Sequence, residues 1–320
     1  MKNFCSIIIP FKNSKKTLKK CIESVLSQQG KINYEIILVD DFSIDGSKIL
    51  CRRIIKNKKN CKLLKSKIRS FGPGHARNIG IKESDGEYIF FLDSDDMLRS
   101  DAINSLYQIS KKGGYPDLIC ANYKLIDKIG NFKKKDRYDL KLYKDKKEKI
   151  LLNFFNLSII PQVISNLIKR KIIKKNKLFF QKGFFEDVFF YFKVLYFSRS
   201  IKILKKKIYF KINRKNSIVN SITENHLKDS FNNYNLCYKF LHEKRIIKKY
   251  ALKKYFLKSI TGQTAVFLER ISNLDNYKVS TKLRDLLRKI YSKLRQNVKF
   301  NYIFVTKKDI IAKNFLYYNK

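Results

Sequence analysis

The sequence has 320 residues, of which 44% are hydrophobic, so it can build a sizeable core and does not have the composition of a disordered chain. Its formal net charge of +44, from 71 Lys and Arg against 27 Asp and Glu, predicts either an anionic partner or a Lys-rich solvated surface. The sequence has six cysteines without a CxxC pair and only three histidines, which argues against a zinc site. It also has no long uncharged apolar run, which argues against a secretory signal and a membrane span. We therefore expect buried, reduced thiols in a cytoplasmic chain.

The first 120 residues alternate between patterns of apolar strands and amphipathic helices. Five predicted strands cover residues 4–10, 34–40, 61–66, 87–92 and 117–123. Four predicted helices cover residues 13–29, 45–59, 72–84 and 101–110, and Asn13 or Ser14 is the predicted N-cap of the first. Continuous apolar strands that alternate with helices predict an α/β fold with a mostly parallel sheet and helices on both faces. In such a sheet, ligands bind beyond the carboxyl ends of the strands.

The rest of the sequence is patterned less clearly. Residues 121–150 are rich in Lys and Asp and predict a loop, residues 151–212 return to apolar segments, and the chain after residue 220 has a helical pattern. We therefore predict an α/β domain over residues 1–220 and a helical extension over residues 221–320. The extension is strongly basic, because residues 241–320 hold 20 basic and 5 acidic side chains, whereas residues 1–110 hold 20 and 12.

Acidic side chains follow two of the predicted strands and interrupt one phenylalanine-rich segment. These acids are Asp40 and Asp41 in "YEIILVDDFS", Asp93, Asp95 and Asp96 in "EYIFFLDSDD", and Glu186 and Asp187 in "FFEDVFF". Carboxylates at a ligand-binding edge can bind sugar hydroxyls, a nucleobase N–H or a hard cation such as Mg²⁺ or Mn²⁺. An Asp-x-Asp in extended chain points both side chains to one side, and a cation there would cancel their repulsion.

The order and spacing of these segments resemble a known family. The segments "SIIIPFKNS", "YEIILVDDFSIDGS", "GPGHARNIGIKESDGEYIFFLDSDDML", "FFEDVFF" and "INRKNSI" are similar to those of family 2 glycosyltransferases with the GT-A fold, over residues 4–220. The resemblance implies a GT-A, Rossmann-like sheet and transfer of a sugar from a nucleotide-sugar donor, most often a UDP-sugar. It also implies inversion of the anomeric centre and a divalent cofactor, Mn²⁺ or Mg²⁺, at the DXD motif. The implied acceptor is a hydroxyl of a glycan or lipid-linked molecule in the synthesis of surface polysaccharide, lipopolysaccharide or lipooligosaccharide.

The resemblance assigns the nucleotide pocket to the ends of the first two strands. Pro10 would form part of its floor, Asp41 would accept a hydrogen bond from the base, and Asp40 would shape the turn. The alternative for both acids is helix capping. Lys12 stands where the family commonly has an aromatic residue, so it would either reach a phosphate or point to solvent.

The diphosphate and the metal are assigned to the middle of the chain. Arg77 would face the diphosphate, since a guanidinium matches phosphate oxygens, and its alternative is a surface arginine on a helix. Asp93 would hold the ribose hydroxyls and Asp95 the metal. Asp96 would either support the metal or cap the following helix, and Arg214 in "INRKNSI" would lie near the phosphates.

Asp187 is the catalytic base that the resemblance implies. It would take the proton of the acceptor hydroxyl as the oxygen attacks the anomeric carbon. Glu186 is the alternative base, and the alternative role of the pair is to cap a helix that begins near Val188.

Two other classes of enzyme and one class of binding protein compete with this interpretation. A haloacid-dehalogenase-type phosphatase would carry its Asp-x-Asp after the first strand, and a nucleotidyltransferase would have a glycine-rich loop there. A nucleic-acid-binding protein would explain the charge but not the acid clusters, which repel phosphates without a metal. We therefore expect no nucleic-acid partner. The basic C-terminal part is instead expected to contact an anionic membrane surface peripherally, on its cytoplasmic face.

Overall fold

The computed structural model describes residues 3–68, 72–126, 140–212 and 222–298. The chain divides into two compact units. The first comprises Met1–Lys144, Gln162–Lys182 and Lys193–Arg214, and the second comprises Asp145–Pro161, Gly183–Phe192 and Lys215–Lys320. The domain boundary predicted between residues 220 and 221 lies outside the described residues and stays a prediction.

The first unit is built on an eight-stranded sheet within the described part of the chain. Its strands are β1 (Cys5–Phe11), β2 (Tyr34–Asp40), β3 (Cys61–Lys65), β4 (Tyr88–Phe91), β5 (Met97–Leu98), β6 (Leu118–Ile126), β7 (Asn166–Lys169) and β8 (Ile201–Ile212). They lie in the order β3-β2-β1-β4-β7-β6-β8-β5. The pairings β3-β2-β1-β4 are all parallel, β7 is antiparallel to both neighbours, and β5 is antiparallel to β8. The predicted, mostly parallel α/β sheet is therefore confirmed, with two reversed strands that the sequence pattern did not indicate.

The four predicted helices are present: the first three connect the parallel strands β1 to β4, and the fourth connects β5 to β6. They are α1 (Leu18–Leu26), α2 (Ser47–Ile55), α3 (Gly74–Lys82) and α4 (Ala102–Lys112). Helix α1 is shorter than expected, because residues 14–17 form a turn in which the amides of Thr17 and Leu18 both donate to the Ser14 carbonyl. Its N-cap is Thr17, so the prediction of Asn13 or Ser14 as N-cap is wrong.

Alternate residues of β1 pack on opposite faces of the sheet, which is why the strand is apolar throughout. Ile7 and Ile9 belong to a buried cluster that includes Leu18 and Ile22 of α1. Ile8 points to the other face, where α3 lies so close that a Cβ on Gly80 would be 2.4 Å from Ile8 Cγ2. Both faces are therefore covered, and glycine at position 80 lets the α3 backbone rest directly on the strand.

The chain beyond β5 departs from the predicted loop over residues 121–150. Residues up to Ile126 continue β6, a 3₁₀-helix covers Leu140–Lys144, and α5 (Lys147–Phe155) begins before the predicted loop ends. Helix α6 (Arg170–Lys175) follows β7 directly. Helix α7 (Asp187–Phe197) has its first half in the second unit.

The second unit packs helices around aromatic side chains. Its C-terminal helices are α8 (Glu224–Lys244), α9 (Lys249–Ser272) and α10 (Tyr277–Val298), which confirms the predicted helical pattern in this region. Phe155 contacts Phe192 and Phe256 with ring centroids 5.6 and 6.3 Å apart, so α5, α7 and α9 share one aromatic core. Among the described helices, none combines the length and apolar character that crossing a membrane would require.

Candidate functional site

The ends of β1 and β2 hold the predicted nucleotide-pocket residues side by side. Pro10 is paired with Val39, and the Asp41 amide donates to the Phe11 carbonyl, so the two strands end together. Asp40 is buried and its Oδ1 accepts from the Ser43 amide at 3.0 Å. Helix α2 begins only at Ser47, after Gly46, so helix capping is wrong as the role of Asp40 and Asp41.

Asp41 is a buried carboxylate with incomplete hydrogen bonding. Its side chain is 7% exposed, and its Oδ2 lies 4.0 Å from Nζ of Lys12, which is half exposed. Its Oδ1 has no hydrogen-bond partner among the described residues. Burial raises the pKa of Asp41, while Lys12 and Ser66 oppose the rise. A buried acceptor without a donor is costly, so Asp41 is suited to receive a donor from a ligand.

The three acids after β4 form one cluster at the same edge of the sheet. One carboxylate oxygen from each of Asp93, Asp95 and Asp96 lies within 4.8 Å of the others. The Asp96 amide donates to the Asp93 carbonyl, which folds the chain into a turn and brings the side chains together. Because β2 and β4 flank β1, this cluster and Asp41 follow strands two positions apart, about 10 Å.

Asp96 is fixed by β8, at the far end of the first unit's sequence. The Tyr209 hydroxyl donates to Asp96 Oδ2 at 2.6 Å, and the Ile212 amide donates to Oδ1 at 2.8 Å. Burial, followed by the charges of Asp93 and Asp95, raises the pKa of Asp96 to about 8. Helix α4 begins at Ala102 after its N-cap Asp101, so the alternative that Asp96 caps this helix is wrong.

Tyr209 and Lys211 are site residues that the sequence analysis missed. The Tyr209 hydroxyl also accepts from the Asp93 amide at 3.2 Å, so one buried phenol bridges both ends of the acid turn. Burial alone would lower the pKa of Lys211, but the nearby negative charges of Asp93 and Asp96 outweigh it, so the pKa is raised. Both residues stand in a Lys-rich alternating segment more than 100 residues from the acids, and no local signal marks them.

Arg77 lies inside the fold beside the acid cluster. Its side chain is 6% exposed, and Nη2 lies 2.7 Å from Asp93 Oδ1. Its guanidinium lies over the Phe180 ring, 5.4 Å from the centroid, and Asn78 of the same helix exchanges two hydrogen bonds with the Phe180 backbone. The alternative of a surface arginine is therefore wrong, and a buried guanidinium, a group that matches phosphate oxygens, lies beside the acid cluster.

Glu186 and Asp187 stand where the loop after residue 182 enters α7, in the second unit. Glu186 is buried, and Asp187 is the first residue of the helix. A carboxylate in the first turn of a helix is stabilised by the helix dipole, so capping and proton transfer are compatible there. Arg214 lies outside the described residues.

The arrangement combines groups that a sugar nucleotide requires. It offers an unsatisfied acceptor for a base N–H, oxygen ligands for a hard cation and a buried arginine for phosphate oxygens. The profile of the family described as "Glycosyl transferase family 2" matches residues 6–198. That span includes every predicted site residue except Arg214.

Two curated proteins illustrate the similarity in sequence. TarP of Staphylococcus aureus (strain N315), a poly(ribitol-phosphate) beta-N-acetylglucosaminyltransferase, is 34% identical over 188 residues, which are 55% of this chain and 52% of TarP. GgaA of Bacillus subtilis (strain 168), a minor teichoic acid biosynthesis protein, is 30% identical over 262 residues, which are 74% of this chain and 56% of GgaA. The chain thus spans about half the length of these curated relatives.

Solved structures support the fold. The crystal structure of S. aureus TarS 1-349 in complex with UDP-GlcNAc superposes with a TM-score of 0.70 and 18% sequence identity, over 93% of this chain and 83% of that chain. At this identity the likeness concerns the fold alone, and it confirms the predicted GT-A type of α/β architecture.

Proposed function

The chain belongs to glycosyl transferase family 2, and we propose that it transfers a sugar from a UDP-sugar to a hydroxyl group of a surface glycopolymer or lipid-linked glycan, with inversion. One observation carries the proposal. Oδ1 of Asp41, which has no hydrogen-bond partner in the described part of the chain, and the three-acid cluster lie at the same edge of the sheet, where they suit the base and the diphosphate end of one sugar nucleotide.

The acid cluster fits a divalent cation. Three carboxylate oxygens within 4.8 Å match the preference of Mn²⁺ and Mg²⁺ for oxygen ligands. We assign Asp95 and Asp96 to the ion and Asp93, together with Arg77, to the donor. When bound, the cation supplies positive charge beside the diphosphate leaving group. Burial and the charges of Asp93 and Asp95 raise the pKa of Asp96, and a cation bound there would favour its ionised form.

The chain's own groups account for a single displacement. Asp187 accepts the proton of the acceptor hydroxyl while that oxygen forms a bond to the anomeric carbon. The bond between the anomeric carbon and the diphosphate oxygen breaks on the opposite side, and its electron pair leaves with UDP. Arg77 stabilises the charge that this step places on the leaving group. Glu186 is the alternative base.

The names of the relatives reduce the number of acceptor classes to consider. TarP acts on poly(ribitol-phosphate) and GgaA belongs to minor teichoic acid synthesis. We therefore favour a polyol-phosphate polymer as acceptor over a lipooligosaccharide. A polyanionic acceptor is also consistent with the net charge of +44, since phosphates would be attracted to the Lys-rich surface.

A mutation of the proposed base tests the function. Asp187→Asn should bind UDP as the wild type does but lose about 10²- to 10⁴-fold in transfer rate, because the side chain can no longer accept a proton. The measurement is UDP release from UDP-GlcNAc and UDP-glucose with Mn²⁺ and a polyol-phosphate acceptor, beside UDP titration calorimetry. The matched control is Asp275→Asn, an exposed acid of the second unit. An Asp187→Asn protein with full activity would remove Asp187 from this role.

We also propose that the basic C-terminal part binds an anionic membrane surface from the cytoplasmic side. Its support is the excess of 20 basic over 5 acidic residues in positions 241–320. Each Lys or Arg near such a surface contributes about 1 kcal/mol. Binding to phosphatidylglycerol vesicles should be released by high salt, and salt-insensitive binding or no binding would refute the proposal.

A further inference from the structure

Phe184, three residues before Asp187, is held by side chains of α8 on both sides of its peptide backbone. Its amide donates to Asp229 Oδ2 at 2.9 Å, and Asn233 Nδ2 donates to its carbonyl at 3.3 Å. Its ring stacks on the imidazole of His226, with centroids 3.8 Å apart and planes 17° apart. Three side chains of one helix therefore fix the backbone and the ring of a single loop residue.

The three side chains lie on one face of α8. Positions 226, 229 and 233 are separated by three and four residues, the spacing that aligns side chains along a helix. His226 and Asn233 are 3% and 2% exposed. His226 is itself oriented by Thr223, whose hydroxyl is 2.7 Å from Nδ1, and Asn233 also donates to the Asp229 carbonyl. This face of the helix is thus an ordered surface that is matched to the loop.

The loop on this surface adopts costly backbone conformations. Gly183 has φ of +104° and Phe185 has φ of +55°, which a non-glycine residue rarely adopts. A Cβ at position 183 would lie 2.4 Å from Asp229 Oδ2, so the close approach requires glycine. Among the described residues, His226 Nε2 and Asn233 Oδ1 are buried without a hydrogen-bond partner. Strained backbone of this kind clusters at functional sites, where the surrounding structure holds it in place, and buried unsatisfied polar atoms are rare enough to need an explanation.

The held segment leads directly to the proposed base. The Val188 amide donates to the Phe185 carbonyl, and α7 begins at Asp187, so only two residues separate the held backbone from the carboxylate. A displacement of Phe184 would therefore pass to Asp187, and a shift of about 1 Å in a reacting group can cost about 100-fold in rate.

We propose that His226, Asp229 and Asn233 are positioning residues that set the location of Asp187 through Phe184. The C-terminal helix α8 then positions the proposed base, in addition to any role in membrane contact. The inference rests on the proposed function, since it assumes that Asp187 is the base.

Paired variants of α8 test the proposal. Asn233→Ala removes the donor to the Phe184 carbonyl, and Asn232→Ala, at the adjacent exposed position, is the matched control. Asp229→Leu removes the acceptor for the Phe184 amide, whereas Asp229→Asn keeps an acceptor oxygen and should rescue activity. The readouts are kcat and KM for UDP-GlcNAc with Mn²⁺, UDP affinity by calorimetry, and amide exchange of a peptide spanning residues 183–187.

We expect Asn233→Ala and Asp229→Leu to lower kcat by about 10- to 100-fold. UDP affinity and KM should change less than about twofold, and exchange at residues 183–187 should become faster. Asn232→Ala and Asp229→Asn should stay within about threefold of the wild type in kcat. Equal losses in kcat and UDP affinity would indicate general damage and overturn the proposal, as would α8 variants that are as active as Asn232→Ala.

Comparison with Asp187→Asn separates this inference from the function on which it rests. If Asp187→Asn is inactive while the α8 variants are fully active, only the positioning role is refuted. If Asp187→Asn is fully active while the α8 variants are slow, the assignment of the base is wrong, and the positioning role is refuted with it.

Discussion

Buried carboxylates lie at both ends of the parallel strands, which we call the amino edge and the carboxyl edge of the sheet. Glu35 at the amino edge and Asp41 at the carboxyl edge differ in how fully they are hydrogen-bonded. At the amino edge, Glu35 Oε1 accepts from the Ser6 hydroxyl and the Asp85 amide, both at 2.6 Å, and from the Gly86 amide at 3.1 Å. Its Oε2 lies 3.0 Å from Lys62 Nζ. At the carboxyl edge, Asp41 Oδ1 has no partner among the described residues.

The pKa values of the two acids shift in opposite directions for this reason. Burial alone would raise the pKa of Glu35, but the hydrogen bonds from Ser6, Asp85 and Lys62 outweigh it and lower the pKa. At Asp41, burial outweighs the stabilising groups and raises the pKa. A buried charge without a full set of donors costs stability. We attribute the retention of Asp41 to a ligand that would supply the missing donor.

Among the variants that compare the two edges, Asp95→Asn at the carboxyl edge has the largest expected effect. Asp95→Asn should lower transfer by about 100-fold, because a proposed metal ligand loses its charge. It should leave the fold at least as stable without metal, since it relieves repulsion with Asp93 and Asp96. Transfer assays over a Mn²⁺ titration and thermal unfolding without metal measure the two effects.

The control for Asp95 is an acid of the amino edge. Asp85→Asn replaces an exposed carboxylate beside Lys62 and should not change the Mn²⁺ dependence. A metal dependence that is the same in Asp95→Asn as in the wild type would contradict the assignment of the metal.

Glu35→Gln should destabilise the fold without affecting donor binding. The glutamine amide would place N–H donors against the Lys62 ammonium, and we expect a loss of about 1–3 kcal/mol in the free energy of unfolding at pH 7. Since folding lowers the pKa of Glu35 below its ordinary value of 4.5, its stabilisation is complete above that pH. It is lost as the pH falls through the pKa of the folded state.

Urea denaturation of the wild type and Glu35→Gln at several pH values measures this difference. The gap in unfolding free energy should shrink in acid, and UDP affinity at pH 7 should stay within about twofold. A gap that widens in acid would mean that Glu35 is not held as a carboxylate.

The strands of the parallel half of the sheet were predictable, because burial on both faces produces continuous apolar runs. The predicted strand over residues 34–40 matches β2 at both ends. β7 and β8 were missed, since their pairing depends on partners far along the chain. β8 has the sequence "IKILKKKIYFKI", which lacks the continuous apolar run of strands such as β2. Its many lysines make it similar to the basic segments around it, so it was not predicted as a strand.

The site was predictable only where one short segment carries it. The clustering of Asp93, Asp95 and Asp96 follows from their adjacency after an apolar strand. Two other features depend on contacts between distant segments, which the spacing of residues along the chain does not indicate. They are the hydrogen bond from Tyr209 to Asp96 and the hydrogen bond from the Phe184 amide to Asp229 of α8. The position of Asp41 after the carboxyl end of β2, and of Glu35 at its amino end, was predictable from the sequence. The hydrogen bonds that satisfy Glu35 were not, since they come from residues on other strands and turns.

Asp41→Asn gives the smallest expected effect and the sharpest contrast with Glu35. The variant should weaken UDP binding by about tenfold, or about 1.4 kcal/mol, because an amide is a weaker acceptor than a carboxylate for a base N–H. Unlike Glu35→Gln, it should be at least as stable as the wild type at pH 7, since it removes a buried charge that lacks a full set of donors.

The pH dependence of Asp41→Asn should have the opposite sign to that of Glu35→Gln. Since folding raises the pKa of Asp41 above its ordinary value of 3.8, ionisation costs stability above the pKa of the folded state. That cost disappears as the pH falls to the pKa of the unfolded state. Urea denaturation should therefore show an advantage of the variant at pH 7 that vanishes in acid. A less stable variant at pH 7 would mean that Asp41, like Glu35, is satisfied by the protein, and the carboxyl edge would lose its distinguishing feature.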